Sequence, residues 1–222
     1  MMMLNPGKPM SEKEGSIKSR TESIPFSQGK MKLEDYLATA PESKCDLVDG
    51  NYLHHSPASY KHNRLRGFLE SVIHFFVEKH HLGEVISENF PVKLNENNWR
   101  EPDLAIIIKE RLKDLKETVF VGVPNFILEI ISEDSRYRDE IRKRAEYERL
   151  GVEEYWIIDP NSFEQSLFLK KLETRFEPIQ FLTEKIESAT IKGLFFKKEW
   201  IWSGRELPPL ETVFKELNLN KK

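Results

Sequence analysis

An α/β fold is predicted by three stretches of this 222-residue chain. Residues 125–132 and 154–159 are apolar runs of strand length, joined by a helical repeat at 136–150 with short connections. That order makes a parallel crossover unit, right-handed on general grounds. Leu65, Phe68, Leu69, Val72, Ile73, Phe75 and Phe76 recur at helical spacing within residues 59–79, an amphipathic helix with one face for a sheet. Asp49-Gly50 stands between two apolar pairs in residues 46–53, the strongest short signal for an antiparallel hairpin.

In chain order, residues 1–30 are polar, aperiodic and broken by Pro6, Gly7, Pro9 and Gly15. They are expected to form a disordered N-terminal tail, with three initial methionines leaving the start site open. Residues 31–222 are expected to form a single domain, long enough for one sizeable core. Leu33, Tyr36 and Leu37 suggest a short helix at its start. In the hairpin Asp49 is a turn former, whereas Asp46 faces either a cleft or solvent. The helix at 59–79 is expected to stop at Gly83. Residues 84–94 and 99–108 read as two strands around an Asn-Glu-Asn-Asn turn, and 109–117 as a charged helical turn or surface loop. Gly151 closes the crossover helix. Pro160-Asn161 turns the chain into 167–169 and later antiparallel segments, and a last helix at 210–217 follows Pro208-Pro209. There is no internal repeat or low-complexity tract.

Composition narrows the function. With 34 Lys and Arg against 37 Asp and Glu, the net charge is −3, so nucleic-acid binding must rest on a local patch. One cysteine, Cys45, fits a reducing, cytoplasmic setting and reads as a small buried hydrophobe rather than a catalytic thiol. No run of about 18 apolar residues predicts a membrane span, and the N-terminus has no apolar core of a secretory signal.

Two acids stand out against this background. Glu129 lies inside the apolar run 125–132, and Asp103 lies in the run 100–108. A lone buried carboxylate costs several kcal/mol unless it is paired, protonated or bound to a cation. Asp139, Lys143 and Tyr147, spaced by four, share one face of the crossover helix, from which Lys143 can reach the strand end carrying Glu129. The opposite stripe, Tyr137, Ile141 and Ala145, is also apolar enough to face the sheet, and periodicity does not decide between them. Two carboxylates and an ammonium suit Mg²⁺ or Mn²⁺ and a phosphodiester; an internal ion pair that only shapes the fold is the alternative. His62, in the first turn of the long helix and near the Asp46 hairpin, is the one histidine kept as a candidate. Arg136, Arg138, Arg142 and Arg144 either contact phosphates or form a solvated face balanced by Glu140, Glu146 and Glu148. No phosphate-binding glycine loop, zinc spacing or Gly-x-Ser-x-Gly elbow competes.

The succession Asp46-Leu-Val-Asp-Gly50, Ser56-Pro57 with His62, Pro102-Asp103, Leu128-Glu-Ile-Ile-Ser132, Asp139 with Lys143 and Tyr147, and Gly151-Val-Glu-Glu-Tyr-Trp-Ile-Ile-Asp159 resembles a bacterial restriction endonuclease family. That family was formerly a domain of unknown function, is abundant in cyanobacteria and belongs to the PD-(D/E)XK nuclease superfamily. The resemblance covers residues 31–173. It implies a restriction-endonuclease-like core, a mixed β-sheet flanked by α-helices, and a Mg²⁺- or Mn²⁺-dependent endonuclease acting on DNA. By the same resemblance Asp103 and Glu129 are the metal-binding acids and Lys143 the catalytic lysine, with His62 and Asp139 positioning the site. Two departures stand out: Ile131 occupies the superfamily's usual lysine position, and Asp46 replaces an expected glutamate. A symmetric homodimer would serve two-strand cutting. The rival expectation is a catalytically inactive module on the same fold that binds nucleic acid or protein.

Overall fold

Asp49 and Gly50 both take positive φ, 50° and 79°, the backbone of a primed two-residue turn. The turn joins β1 (Cys45–Val48) to antiparallel β2 (Asn51–His54). This computed structural model describes residues 44–204 and 206–220. The tail expected at 1–30 and the short helix expected at 31–37 lie outside them.

Helix α1 (Tyr60–Lys79) starts at Ser59, whose Oγ accepts the His62 amide at 3.1 Å. This N-cap bond satisfies a donor that the first turn would otherwise leave orphaned. The helix ends through His81 at φ 50°, not at Gly83 as the sequence predicts. Gly83 instead opens β3 (Gly83–Ser87), where a Cβ would lie 2.0 Å from the Ile107 carbonyl oxygen. Gly83→Ala is therefore expected to cost about 1–3 kcal/mol, read as a lower urea midpoint with an unchanged m-value.

The two long strands expected at 84–94 and 99–108 are each broken in two. β3 gives way to β4 (Val92–Lys93) after Asn89 turns at φ 65°. β5 (Trp99–Arg100) is separated from β6 (Leu104–Ile108) by Glu101-Pro102-Asp103, where proline has no amide to donate to a ladder. Each break moves the chain between sheets: β3 and β6 pair in one, β4 and β5 in another.

After a 3₁₀ turn (Lys109–Asp114) come β7 (Phe120–Val121) and the fully buried β8 (Phe126–Ile130). The crossover helix has two parts, a π-helical stretch (Arg138–Lys143) and α2 (Arg144–Leu150), closed by Gly151 at φ 91°. β9 (Glu154–Ile158) returns parallel to β8, as predicted. The hairpin β10 (Leu167–Leu172) and β11 (Arg175–Pro178) follows, then β12 (Lys185–Glu187), β13 (Phe195–Lys197), α3 (Lys198–Trp202) and α4 (Leu210–Glu216). The larger sheet runs β11-β10-β9-β8-β6-β3 and the second β2-β1-β5-β4-β7, while β12 and β13 pair with each other.

Alternation along β8 divides the core. Phe126, Leu128 and Ile130 face α1 through Leu69, Val72, Ile73 and Phe76. Ile127 and Ile131 face the other side, with Tyr147, Val152 and Tyr155. Glu129 shares this second side by period-two alternation, which directs it toward the crossover helix.

Candidate active site

β6 and β8 are antiparallel with Leu104 opposite Leu128. Asp103 and Glu129 are the next positions along that register, which brings the two acids together at one end of the strand pair. The break at Pro102 frees Asp103 from the ladder, and its carboxylate turns back to accept the Ile130 amide at 2.7 Å. Both acids are 2% exposed and line a cavity of about 250 Å³ with Lys44, His62, Asp139 and Lys143.

The crossover helix turns its polar stripe inward. Asp139, Lys143 and Tyr147 are buried, while Tyr137 and Ile141 are 64% and 52% exposed, which settles the open choice of face. Lys143 Nζ donates to Glu129 Oε1 at 2.7 Å and stands 3.2 Å from Asp139 Oδ1 and 4.0 Å from Asp46 Oδ2. The Tyr147 hydroxyl donates to the same Glu129 oxygen at 3.4 Å. Both Asp139 and Lys143 fall within the π-helical stretch, whose wider turn is a frequent feature of functional sites. All five residues expected at the site are thus close together, because His62 Nε2 lies 3.3 Å from Asp103 Oδ2 and 3.1 Å from the Ile130 carbonyl.

Four further residues, Lys44, His55, Arg100 and Glu146, were not singled out for the site by the sequence, and Asp46, left between a cleft and solvent, is drawn into the same network. Lys44 Nζ donates to Asp103 Oδ1 at 2.5 Å. Asp46 is fully buried, accepts from Arg100 Nη1 at 3.0 Å and the Glu101 amide at 3.1 Å, and lies 3.3 Å from His55 Nε2. Arg100 also donates to Glu146 Oε2 through Nε at 2.8 Å and Nη2 at 2.5 Å. The period-two spacing of Lys44 and Asp46 on extended chain was the available signal. Of the four helix arginines only Arg138 lines the cavity, 3.3 Å from His55 Nδ1. Arg136 is held by Glu140 and Asp159, and Arg142 lies over the Tyr137 ring at 5.6 Å.

The two acids titrate in opposite directions. Burial alone would raise the Asp103 pKa, but Lys44 and His62 outweigh it and hold Asp103 well below the ordinary range. For Glu129 burial prevails over Lys143, and Asp103 and Asp139 add to it, so its pKa is pushed up to about 7. Burial opposes the charge of Lys143, yet Glu129, Asp139 and Asp46 lift its pKa well above normal. Asp46 stays ionised: Lys143, His55 and Arg100 overcome its burial.

The charge balance of the network bears on whether it can hold a divalent ion. Its five buried carboxylates, Asp46, Asp103, Glu129, Asp139 and Glu146, meet three full cations, Lys44, Arg100 and Lys143. Two negative charges remain with Glu129 ionised, and one with it protonated, before Arg138 and the histidines are counted. Among the described residues no group of three or more His, Cys, Asp or Glu is arranged to hold a metal by itself. Two carboxylates with water completing the shell suit Mg²⁺, which seldom uses an all-protein cage. The residues present therefore fit a hard divalent cation.

No curated protein matches the chain. A crystal structure from Anabaena variabilis ATCC 29413, described as "a putative nuclease belonging to DUF820", matches with a TM-score of 0.64. The match is 17% identical and covers 78% of this chain and 98% of that one, a likeness of fold. Among the described residues no helix is long and apolar enough to cross a membrane. A family model described as "Uma2: Putative restriction endonuclease" matches residues 33–197, well over half of the sequence, and the chain belongs to that family.

Proposed function

We propose that this chain is a divalent-metal-dependent endonuclease that hydrolyses DNA phosphodiester bonds at a PD-(D/E)XK-type site. The observation that carries the reading is the buried triad Asp103, Glu129 and Lys143 in one cavity, with Lys143 Nζ 2.7 Å from Glu129. Membership of the family supports it.

In this reading Asp103 and Glu129 hold Mg²⁺ or Mn²⁺. The bound ion supplies polarisation of the scissile phosphate and a lowered pKa for water. Lys143 replaces the lysine that the superfamily carries where this chain has Ile131. Its fixed ammonium orients the attacking water and stabilises negative charge as it grows on the phosphate. Asp139 positions Lys143, and His62 positions Asp103, through the contacts at 3.2 and 3.3 Å. Lys44 keeps Asp103 ionised. Cutting both strands calls for two copies of the site, so a symmetric dimer belongs to the proposal.

A supercoiled-plasmid assay tests it. The wild type is expected to nick plasmid in Mg²⁺ or Mn²⁺, to stop in EDTA, and to fall silent in a folded Asp103→Asn variant. Nicking retained by Asp103→Asn would place the activity outside this acid pair, and none by folded wild type in either metal leaves only the non-catalytic binding module.

A further inference from the structure

The N-terminal turn of α1 has two faces with different chemistry. His62 points inward to Asp103, while Tyr60, Lys61 and Arg64 point out, with Tyr60 78% exposed. Beneath the outward face is a cavity of about 310 Å³ whose apolar walls include Tyr60, Leu65, Ile201 and Leu207. Between this cavity and the acidic site lies a polar trough. The trough shares Ser56, Pro57 and Ser132 with the site and Lys61 and Pro160 with the outer cavity, so the three form one continuous groove.

We infer that this groove takes a single DNA strand leaving the site and that the outer cavity receives one unpaired base beside Tyr60. The inference rests on the nuclease reading and names its substrate class: DNA with an unstacked nucleotide near the scissile phosphate, such as a flap, a gap or a single strand.

Shape and the two cations at the slot favour that occupant; in the trough Glu133, Asp134 and Asp159 outnumber Lys61 and Arg136, so phosphate contact falls at the lip of the slot. Lys61 donates to Asn161 at 2.6 Å and Arg64 reaches the Tyr60 hydroxyl at 3.5 Å. Among the described residues neither has a carboxylate partner, whereas Arg136 in the trough is already paired with Glu140 and Asp159. Two uncommitted cations at the lip of an apolar slot with an exposed ring are what single-strand binders use for phosphate and base. A base paired within duplex has both faces stacked and cannot enter such a slot without being extruded. Glu206, also at the slot, repels phosphate but offers an acceptor to an exocyclic amino group.

The test is fluorescence anisotropy in EDTA with a labelled short single-stranded oligodeoxynucleotide and a blunt hairpin duplex of the same length. Wild type is expected to bind the single strand more tightly than the duplex. Tyr60→Ala should weaken single-strand binding about 10-fold, while Tyr60→Phe, which keeps the ring, should not. Lys61→Ala and Arg64→Ala should each lower the slope of log single-strand affinity against log salt by about 0.7. Equal affinity for the two probes, or a Tyr60→Ala protein that binds the single strand as wild type does, overturns the inference. Plasmid nicking in Mn²⁺ by the same preparation separates the two proposals. A protein that nicks but shows no Tyr60-dependent strand binding loses the groove and keeps the nuclease. One that binds the strand through Tyr60 yet never nicks loses the nuclease and keeps the groove.

Discussion

Lys143→Met is expected to abolish nicking and to destabilise the fold in the same substitution. The ammonium is 1% exposed and stands among Glu129, Asp139 and Asp46. Methionine fills much of the same volume without charge, so cavity formation is a minor part of the effect. Removing one partner of a buried ion pair costs about 3–5 kcal/mol, because the remaining charges have no solvent to screen them. Protonation offers partial relief: without Lys143 the Glu129 pKa rises further above about 7, and the carboxylate takes up a proton. The loss should therefore be larger at pH 8 than at pH 6, as read by urea unfolding at each. Nicking should fall by at least about 100-fold under conditions where the variant remains folded, the scale set by removing one preorganised charge-stabilising donor. A variant as stable as wild type at pH 8 would mean that the ammonium is not held inside the carboxylate network.

Glu129→Gln is expected to separate stability from function. Glu129 titrates near pH 7 in the folded chain against 4.5 in an ordinary setting. Between those values the folded state binds more protons than the unfolded state, so this group's contribution to stability falls as pH rises through about 7. In metal-free wild type it makes the fold weaker at pH 8 than at pH 5 by a few kcal/mol at most. Asp103 has the opposite sign. Its pKa is depressed, so its contribution is full above its unfolded pKa near 4 and is lost only as pH falls below that. Glutamine cannot ionise, and Glu129's share of the pH 5-to-8 decline should disappear in Glu129→Gln, leaving the smaller share of His62, whose pKa, lowered by burial, is raised on balance by Asp103. Thermal melts in EDTA across this range check the sign: the variant should match or exceed wild type at pH 8 while losing nicking altogether. A variant markedly less stable than wild type at pH 8 would show that the Glu129–Lys143 pair holds the fold together rather than burdening it.

Much of the fold was legible because it depends on local chemistry. Asp49-Gly50 satisfies the turn's demand for two positive φ values. The unbroken apolar run of β8 declared a strand buried on both faces, and Glu129 within it was visible for the same reason. Gly83 misled: its missing side chain serves a close backbone approach to Ile107 rather than a helix stop. The break at Asn89 carried no strong local signal, and Pro102 marked the other only by its lost amide.

The candidate site was half legible. Asp103, Glu129 and Lys143 could be found as charges in apolar surroundings. Which stripe of the crossover helix faces inward could not, because Tyr137 and Ile141 outrank Asp139 and Lys143 in hydrophobicity. Charge pairing decides it, against carboxylates on other elements. Lys44 meets Asp103 across 59 residues of sequence, Arg100 meets Asp46 across 54 and Glu146 across 46. No repeat of 2 or 3.6 residues encodes such pairings; they follow from the fold once the two sheets are in place.

Calorimetric titration of Mn²⁺ at pH 6 and pH 8, each in two buffers of different ionisation heat, shows whether Asp103 and Glu129 hold an ion between them. Asp103 is ionised throughout, while Glu129 must lose its proton to serve as a ligand. One site per chain is predicted, tighter at pH 8 than at pH 6, with proton release at pH 6 that nearly vanishes at pH 8, and no binding by Glu129→Gln. Binding that is equally tight at both pH values, or unchanged in Glu129→Gln, would contradict a metal held between these two acids.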